Sequence, residues 1–258
     1  MTTQEVQPVE GPVEVTAACV VLDIEGTTSP TSAVLGGLYD YARPRLGPWI
    51  AEHADDPVVA SAVADVRRSA GLAEDAPDDE VVRVLHEWMD GDVKATPLKA
   101  LQGQIWAEGF AAGELTSRFF PDVAPALRAW HESGVRLAVF SSGSVASQRP
   151  WFRYTDVGDL SDLVDDWFDT ANAGPKREPA SFRRIADRIE EALGVRSGLV
   201  FLSDVPAELE AAASAGWAAV GVRRQGEPYE QADFTGHPVV ASFADLSVVP
   251  VPVERGVS

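Results

Sequence analysis

Cysteine, basic residues and long apolar runs are all scarce in this sequence. Its 258 residues include one cysteine, Cys19, which leaves no internal disulfide to form. Cys19 lies in the apolar run Ala17 to Leu22 and reads as a small buried hydrophobe. No stretch approaches the roughly 18 apolar residues that a membrane span needs. Met1 to Glu14 is polar and acidic, without the basic and apolar regions of a secretory signal, so the cytoplasm is the expected compartment. Lys and Arg number 21 against 40 Asp and Glu, a net charge of −19. Such a chain repels phosphate backbones and anionic lipid, which argues against nucleic-acid binding and membrane docking. A small phosphorylated substrate remains open, because backbone N–H groups, one or two cations and a metal can capture it locally. The sequence has no internal repeat and no low-complexity tract.

What is present is ample material for a core, with 45% hydrophobic residues. Short apolar runs recur and end at polar residues. Ala17 to Leu22 runs into Asp23, Val135 to Phe140 into Ser141-Ser142-Gly143-Ser144, and Gly198 to Leu202 into Ser203-Asp204. Trp217 to Val222 runs into Arg223-Arg224, and Val239 to Phe243 is a further candidate strand. Near-continuous apolar runs suit strands covered on both faces, as in a parallel sheet. Helical patterns lie between them. Asp122 is placed to cap a helix burying Val123, Leu127 and Trp130; Pro179 opens one carrying Phe182, Ile185, Ile189 and Leu193; Pro206 opens an Ala-rich third. The alternation predicts an α/β fold, a Rossmann-like parallel-sheet core with chemistry at the carboxyl ends of its strands.

From about Ser32 to Phe120 the rhythm changes. Apolar residues fall at helical spacing (Val58, Val59, Ala62, Val63, Val66; Val81, Val82, Leu85, Trp88, Met89; Leu98, Leu101, Ile105, Trp106), punctuated by Pro and Gly. Residues 51 to 95 hold twelve Asp/Glu against four Lys/Arg, read as a solvated helical surface. The expected organisation is a tail over 1–16, a core over 17–31 and 121–246, a helical cap over 32–120 inserted after the first strand, and a tail over 247–258.

Three strand ends and one loop carry candidate chemistry. Asp23 and Glu25, two residues apart past a buried strand, crowd two carboxylates that a divalent cation or a shared proton would relieve. Ser141 and Ser142 offer hydroxyls and backbone N–H groups to an anion. Asp204 can complete an oxygen-rich sphere for Mg²⁺, with Glu208 either a hydrogen-bonding partner nearby or an exposed acid in a first helical turn. Lys176, ahead of a helix, can neutralise a phosphate.

The order acid-x-acid-Gly-Thr, then Ser, then Lys, then Asp resembles the haloacid dehalogenase-like phosphatases. The long insertion resembles their cap. Leu22-Asp23-Ile24-Glu25-Gly26-Thr27-Thr28 is similar to the signature of one branch, the enolase-phosphatases (acireductone synthases) of methionine salvage. Leu98 to Trp106, Ser141 to Val145 and Phe201 to Val205 support that branch. The resemblance implies Asp23 as nucleophile, forming an aspartyl-phosphate, and one Mg²⁺ per subunit held by Asp23, residue 25 and Asp204. It implies phosphate binding by Ser141, Ser142 and Lys176. Glu25 would be an acid–base group, and a candidate base for enolising 2,3-diketo-5-methylthiopentyl-1-phosphate on the way to acireductone. The cap would set specificity, with Lys99, Gln102, Gln104, Trp106 and Phe110 as undecided contacts. The resemblance further suggests a monomer. A capped Mg²⁺-dependent phosphatase acting on another small phosphorylated metabolite is the alternative. A metal-free dehalogenase has no use for the Asp23, Glu25, Asp204 cluster, and the long insertion weighs against a phosphate-accepting regulator.

Overall fold

The structure, a computed structural model, describes residues 12–91, 93, 95–195 and 197–251. In chain order, β1 (Val13–Ala17) and β2 (Cys19–Leu22) come first. A π-helical turn over Ala33–Gly37 then leads into α1 (Leu38–Ala42), α2 (Leu46–Glu52), α3 (Pro57–Ala70), α4 (Asp78–Asp90) and α5 (Thr96–Ala111). Next come α6 (Val123–Glu132), β3 (Arg136–Phe140), α7 (Val145–Arg153) and β4 (Asp166–Phe168). The chain continues with α8 (Pro179–Leu193), β5 (Leu199–Ser203), α9 (Pro206–Ser214), β6 (Ala218–Val222), β7 (Val239–Val240) and β8 (Leu246–Pro250). It divides into two compact units. One takes in the described residues up to Thr28, Phe120–Ser142 and those from Leu163; the other is Ser29–Phe119 with Gly143–Asp162.

The first unit is α/β. Six strands run parallel in the order β4-β3-β2-β5-β6-β7. β2 and β5 are buried at every residue, as their unbroken apolar runs require of strands covered on both faces. Rings fill the layer beside them. Phe182 meets Phe140, Phe201 and Trp217 edge-on at centroid distances of 5.6, 5.0 and 5.5 Å. α8 and α9 follow their proline openings, and α8 stops at Gly194 with φ +70.

Several expectations need correction. The tail expected over 1–16 contains most of β1, because Val13–Ala17 pair in parallel with β8 from Val13↔Leu246 to Ala17↔Pro250. The tail expected over 247–258 likewise begins inside β8. Both strands are half-buried, with Glu14 and Thr16 turned outward, so polar residues interrupt the apolar signal. The remainder of both expected tails, 1–11 and 252–258, lies outside the described residues. The helical insertion therefore follows β2, the second strand. Asp122 does not cap α6 with its side chain; Arg224 takes that carboxylate instead. The run Val239 to Phe243 is a strand only over Val239–Val240, after which Ser242 turns the chain and its hydroxyl accepts from Ala244 N–H at 3.1 Å.

The second unit is helical among the described residues. Its core joins Ala42, Leu46 and Ile50, which the helical spacing does not mark, to Val59, Val63, Val66, Val81, Leu85, Leu101 and Ile105, which it does; Val58, also marked, is exposed at the start of α3. Asp56 caps α3, accepting from the Val58 and Val59 N–H groups at 2.8 and 3.1 Å. Gly71, at φ +67, ends that helix in the left-handed conformation. Phe110 is packed inside, stacked on Tyr154 and edge-on to Trp151. Gln104 accepts from the Trp49 indole at 3.1 Å, and the Trp106 indole donates to the Leu38 carbonyl at 2.8 Å. Gln102 is buried with its amide nitrogen unpartnered. Gly143–Asp162, expected in the core, divides with this unit.

Candidate active site

All six residues singled out by sequence, Asp23, Glu25, Ser141, Ser142, Lys176 and Asp204, lie in the α/β unit. Sheet register explains why. Leu22, the last residue of β2, pairs with Val139 of β3 and Leu202 of β5. Asp23 continues the ladder, its N–H bonding the Leu202 carbonyl at 3.0 Å. The residues just past the three strands therefore emerge on one rim, the carboxyl edge of a parallel sheet.

Asp23 is the centre of this rim and is 2% exposed. The Lys176 ammonium contacts its Oδ1 directly and reaches Glu208 Oε2 at 2.7 Å. Ser203 donates its hydroxyl toward Asp23 Oδ2 at 3.4 Å and to Glu208 at 3.0 Å. Thr27 ties Asp23 to Asp204. Its hydroxyl lies 3.4 Å from Asp23 Oδ2 and 3.5 Å from Asp204 Oδ1, and accepts from the Asp204 N–H at 2.9 Å. The Thr28 hydroxyl donates to the Asp23 and Ile24 carbonyls at 3.0 and 3.2 Å, fixing the turn. Gly26 makes that turn at φ +74, and a Cβ there would stand 2.7 Å from Asp204 Cγ and closer still to its Oδ2. Only glycine lets this backbone lie against the carboxylate.

Glu25 faces Ser141, whose hydroxyl donates to Oε2 at 3.2 Å. Ser142 is exposed. The structure thus groups Asp23, Lys176 and Asp204 through Thr27, pairs Glu25 with Ser141, and leaves the Ser142 side chain open to solvent. Glu208 proves a buried partner of Lys176 and Ser203 rather than an exposed acid. Thr27 and Ser203 have structural roles that their hydroxyls, at strand ends inside the two motifs, could have signalled. Arg224 is a further residue that the motifs do not mark. It is buried at the end of β6, with Nε on the Thr27 carbonyl at 3.1 Å.

Electrostatics follow from this crowding. Burial pushes the Asp23 carboxyl well above the usual carboxylate range; Lys176 opposes that, while Glu208, Glu25 and Asp204 add to it. Burial lifts Asp204 to about 7, again against Lys176 and with Glu208. Burial works against the charge on Lys176, but Asp23 and Glu208 outweigh it and raise its pKa. One ammonium does not balance so many acids, and the remaining imbalance favours a further cation or bound protons. Among the described residues no three His, Cys, Asp or Glu side chains group as a metal-holding cluster. The available carboxylates are two, Asp23 and Asp204, both hard oxygen donors beside the Gly26 backbone. That set fits Mg²⁺, which keeps several waters and takes one or two carboxylates.

A sequence profile of haloacid dehalogenase-like hydrolases matches residues 17–216. The enolase-phosphatase E1 of Saccharopolyspora erythraea is 58% identical over 91% of this chain and 97% of its own length. That of Frankia alni is 59% identical over 90% of this chain and 96% of its own. The crystal structure of the UTR4 protein of Saccharomyces cerevisiae superposes with a TM-score of 0.71 at 28% identity, covering 88% of this chain and 98% of that one. The chain belongs to the enolase-phosphatases of the haloacid dehalogenase-like hydrolases.

Proposed function

We propose that this chain converts 2,3-diketo-5-methylthiopentyl-1-phosphate to acireductone, first by enolisation and then by dephosphorylation, as a step of methionine salvage. The observation that carries the reading is the buried Asp23, set against Lys176 and joined through Thr27 to Asp204, in a chain so similar to enolase-phosphatases.

Asp23 is the nucleophile. A carboxylate oxygen attacks phosphorus in line, the bond from phosphorus to the substrate oxygen breaks, and an aspartyl-phosphate forms. Glu25 gives the departing oxygen its proton and later takes one from the water that hydrolyses the acyl-phosphate, releasing inorganic phosphate. In the enolisation Glu25 is the candidate base, removing a proton from carbon next to a carbonyl. Ser141, Ser142 and Lys176 hold the phosphate, and Lys176 offsets negative charge as it passes to Asp23. Asp23, Asp204 and the backbone carbonyl of residue 25 are the proposed holders of one Mg²⁺. When bound, that ion polarises phosphoryl and carbonyl oxygens and screens the repulsion between an anionic nucleophile and an anionic substrate.

The helical unit serves as the cap that excludes water and sets specificity. The protein acts as a monomer in the cytoplasm; among the described residues no helix is long and apolar enough to cross a membrane. Light scattering of the purified chain tests the monomer.

The deciding experiment supplies the diketo phosphate with Mg²⁺ and follows enol absorbance and phosphate together. Enol followed by phosphate and acireductone is expected, and Asp23→Asn should stop phosphate release. Phosphate without an acireductone-type product would replace this reading with the capped phosphatase of another metabolite.

A further inference from the structure

Arg224 lies 5% exposed in the α/β unit, at the end of β6 and outside every motif that marked the site. A buried guanidinium needs an anion and several acceptors. Asp122 supplies the anion, with both carboxylate oxygens within 2.9 Å of Nη1. Nη1 also meets the Ala241 carbonyl at 3.2 Å. The Phe120 and Phe243 rings flank the plane at 4.4 and 5.0 Å. Asp122 is held in turn by the Phe243 N–H at 2.5 Å. The result is a rigid clip joining the start of α6, the end of β6 and the segment after β7.

Nη2 is buried without a hydrogen-bond partner, and Nε points elsewhere. Arg224 Nε donates to the carbonyl of Thr27 at 3.1 Å. Thr27 is the residue whose hydroxyl spans Asp23 and Asp204 and receives the Asp204 N–H. Next to it, the Phe120 N–H bonds the Thr28 carbonyl at 3.0 Å. The loop carrying the nucleophile is thus fixed from behind by one cation, which touches neither Asp23 nor Asp204. A buried ion pair contributes little net stability relative to well-packed apolar residues, so stability alone is a weak account of Arg224. A site whose ligands must be held within about half an ångström is a stronger one.

We propose that Arg224 is a positioning residue: by anchoring the Thr27 peptide it sets the loop that presents Asp23 and, through the Thr27 hydroxyl, Asp204. The proposal rests on the reading of Asp23 and Asp204 as metal holders, and its effect should fall on Mg²⁺ affinity and kcat, with little change in KM.

The test replaces the clip by apolar residues, Arg224→Met with Asp122→Leu, an exchange that leaves no unpaired buried charge. Arg224→Lys is the second variant. It keeps the charge beside Asp122, but a single ammonium lacks the fork that reaches Thr27 as well. Mg²⁺ affinity is measured by calorimetry on the metal-free protein. The kcat and KM for an aryl phosphate are measured at saturating Mg²⁺, below the melting temperature of each variant. Expected is a loss of roughly 10–100-fold in Mg²⁺ affinity and kcat, with KM nearly unchanged, the scale seen when groups supporting metal ligands are removed. If whichever variant folds binds Mg²⁺ and turns over like the parent, Arg224 is only structural and the proposal is overturned. Asp204→Asn runs alongside. If it binds Mg²⁺ as the parent does, the metal reading itself fails and the proposal with it; if it loses Mg²⁺ while the Arg224 variants do not, only the proposal fails.

Discussion

The Lys176 ammonium stands between two carboxylates, in contact with Asp23 and 2.7 Å from Glu208 Oε2. All three groups are buried, so the lysine cannot swing out to solvent, and Glu208 holds it on the nucleophile. Glu208→Gln keeps the shape and removes one negative charge. Because Glu208 is one of the two acids that raise the Lys176 pKa, that pKa should fall in the variant. With the ammonium no longer held on Asp23, kcat should fall roughly tenfold at neutral pH. Steady-state kinetics of the two proteins check this; an unchanged kcat would show that Glu208 does not hold the lysine in place.

Gly26 has two reasons to be glycine. Its φ of +74 strains any other residue, and a Cβ would stand 2.7 Å from Asp204 Cγ. Gly26→Ala should therefore cost about 1–3 kcal/mol of stability and displace Asp204. Denaturant unfolding measures the first effect. Calorimetric Mg²⁺ titration measures the second, expected as a clear loss of affinity.

Much of this was legible in the chain because the governing patterns are local. The buried runs ending at Asp23, Phe140 and Ser203 identify parallel strands, and register then brings their ends to one rim. The spacing from Val59 to Ile105 identifies the helical unit. What escaped is of two kinds. β1, β4 and β8 are short or half-exposed, so alternating polar residues such as Glu14, Asp166 and Ser247 dilute their signal. Arg224 owes its partners, and Glu208 its lysine, to packing between distant segments. The contacts Lys176–Glu208, Arg224–Thr27 and Arg224–Asp122 join segments far apart in the chain, and the pattern of one segment does not contain them. Asp122 shows the same effect in reverse, since a capping residue by local rules is claimed by an arginine 102 positions away.

Phe182 is the hub of the core beside β5. It is fully buried and meets Phe140, Phe201 and Trp217 edge-on. Phe182→Ala opens a cavity in a layer of rigid rings that cannot collapse easily, and should cost about 3–5 kcal/mol. Urea unfolding should show a lower midpoint with an unchanged slope. A loss under about 1 kcal/mol would mean that the neighbouring rings do close the gap.

Asp204 makes the metal-free protein sensitive to pH in an unusual direction. Burial lifts its pKa from 3.8 to about 7, so between those values the folded chain holds a proton that the unfolded chain releases. Stability then falls as pH rises through that window, because the folded state binds more protons. The loss across the window is up to about 4 kcal/mol, since each pH unit between the two values contributes about 1.4 kcal/mol. In EDTA, the parent should lose more stability between pH 4 and pH 8 than Asp204→Asn, which carries no charge there. Mg²⁺ binds the folded state and favours the ionised carboxylate. Its addition at pH 8 should raise the melting temperature of the parent and leave the variant nearly unmoved. Equal pH slopes for the two proteins in EDTA would mean that Asp204 is ionised throughout, with its charge met by Lys176 and water instead of by a bound proton.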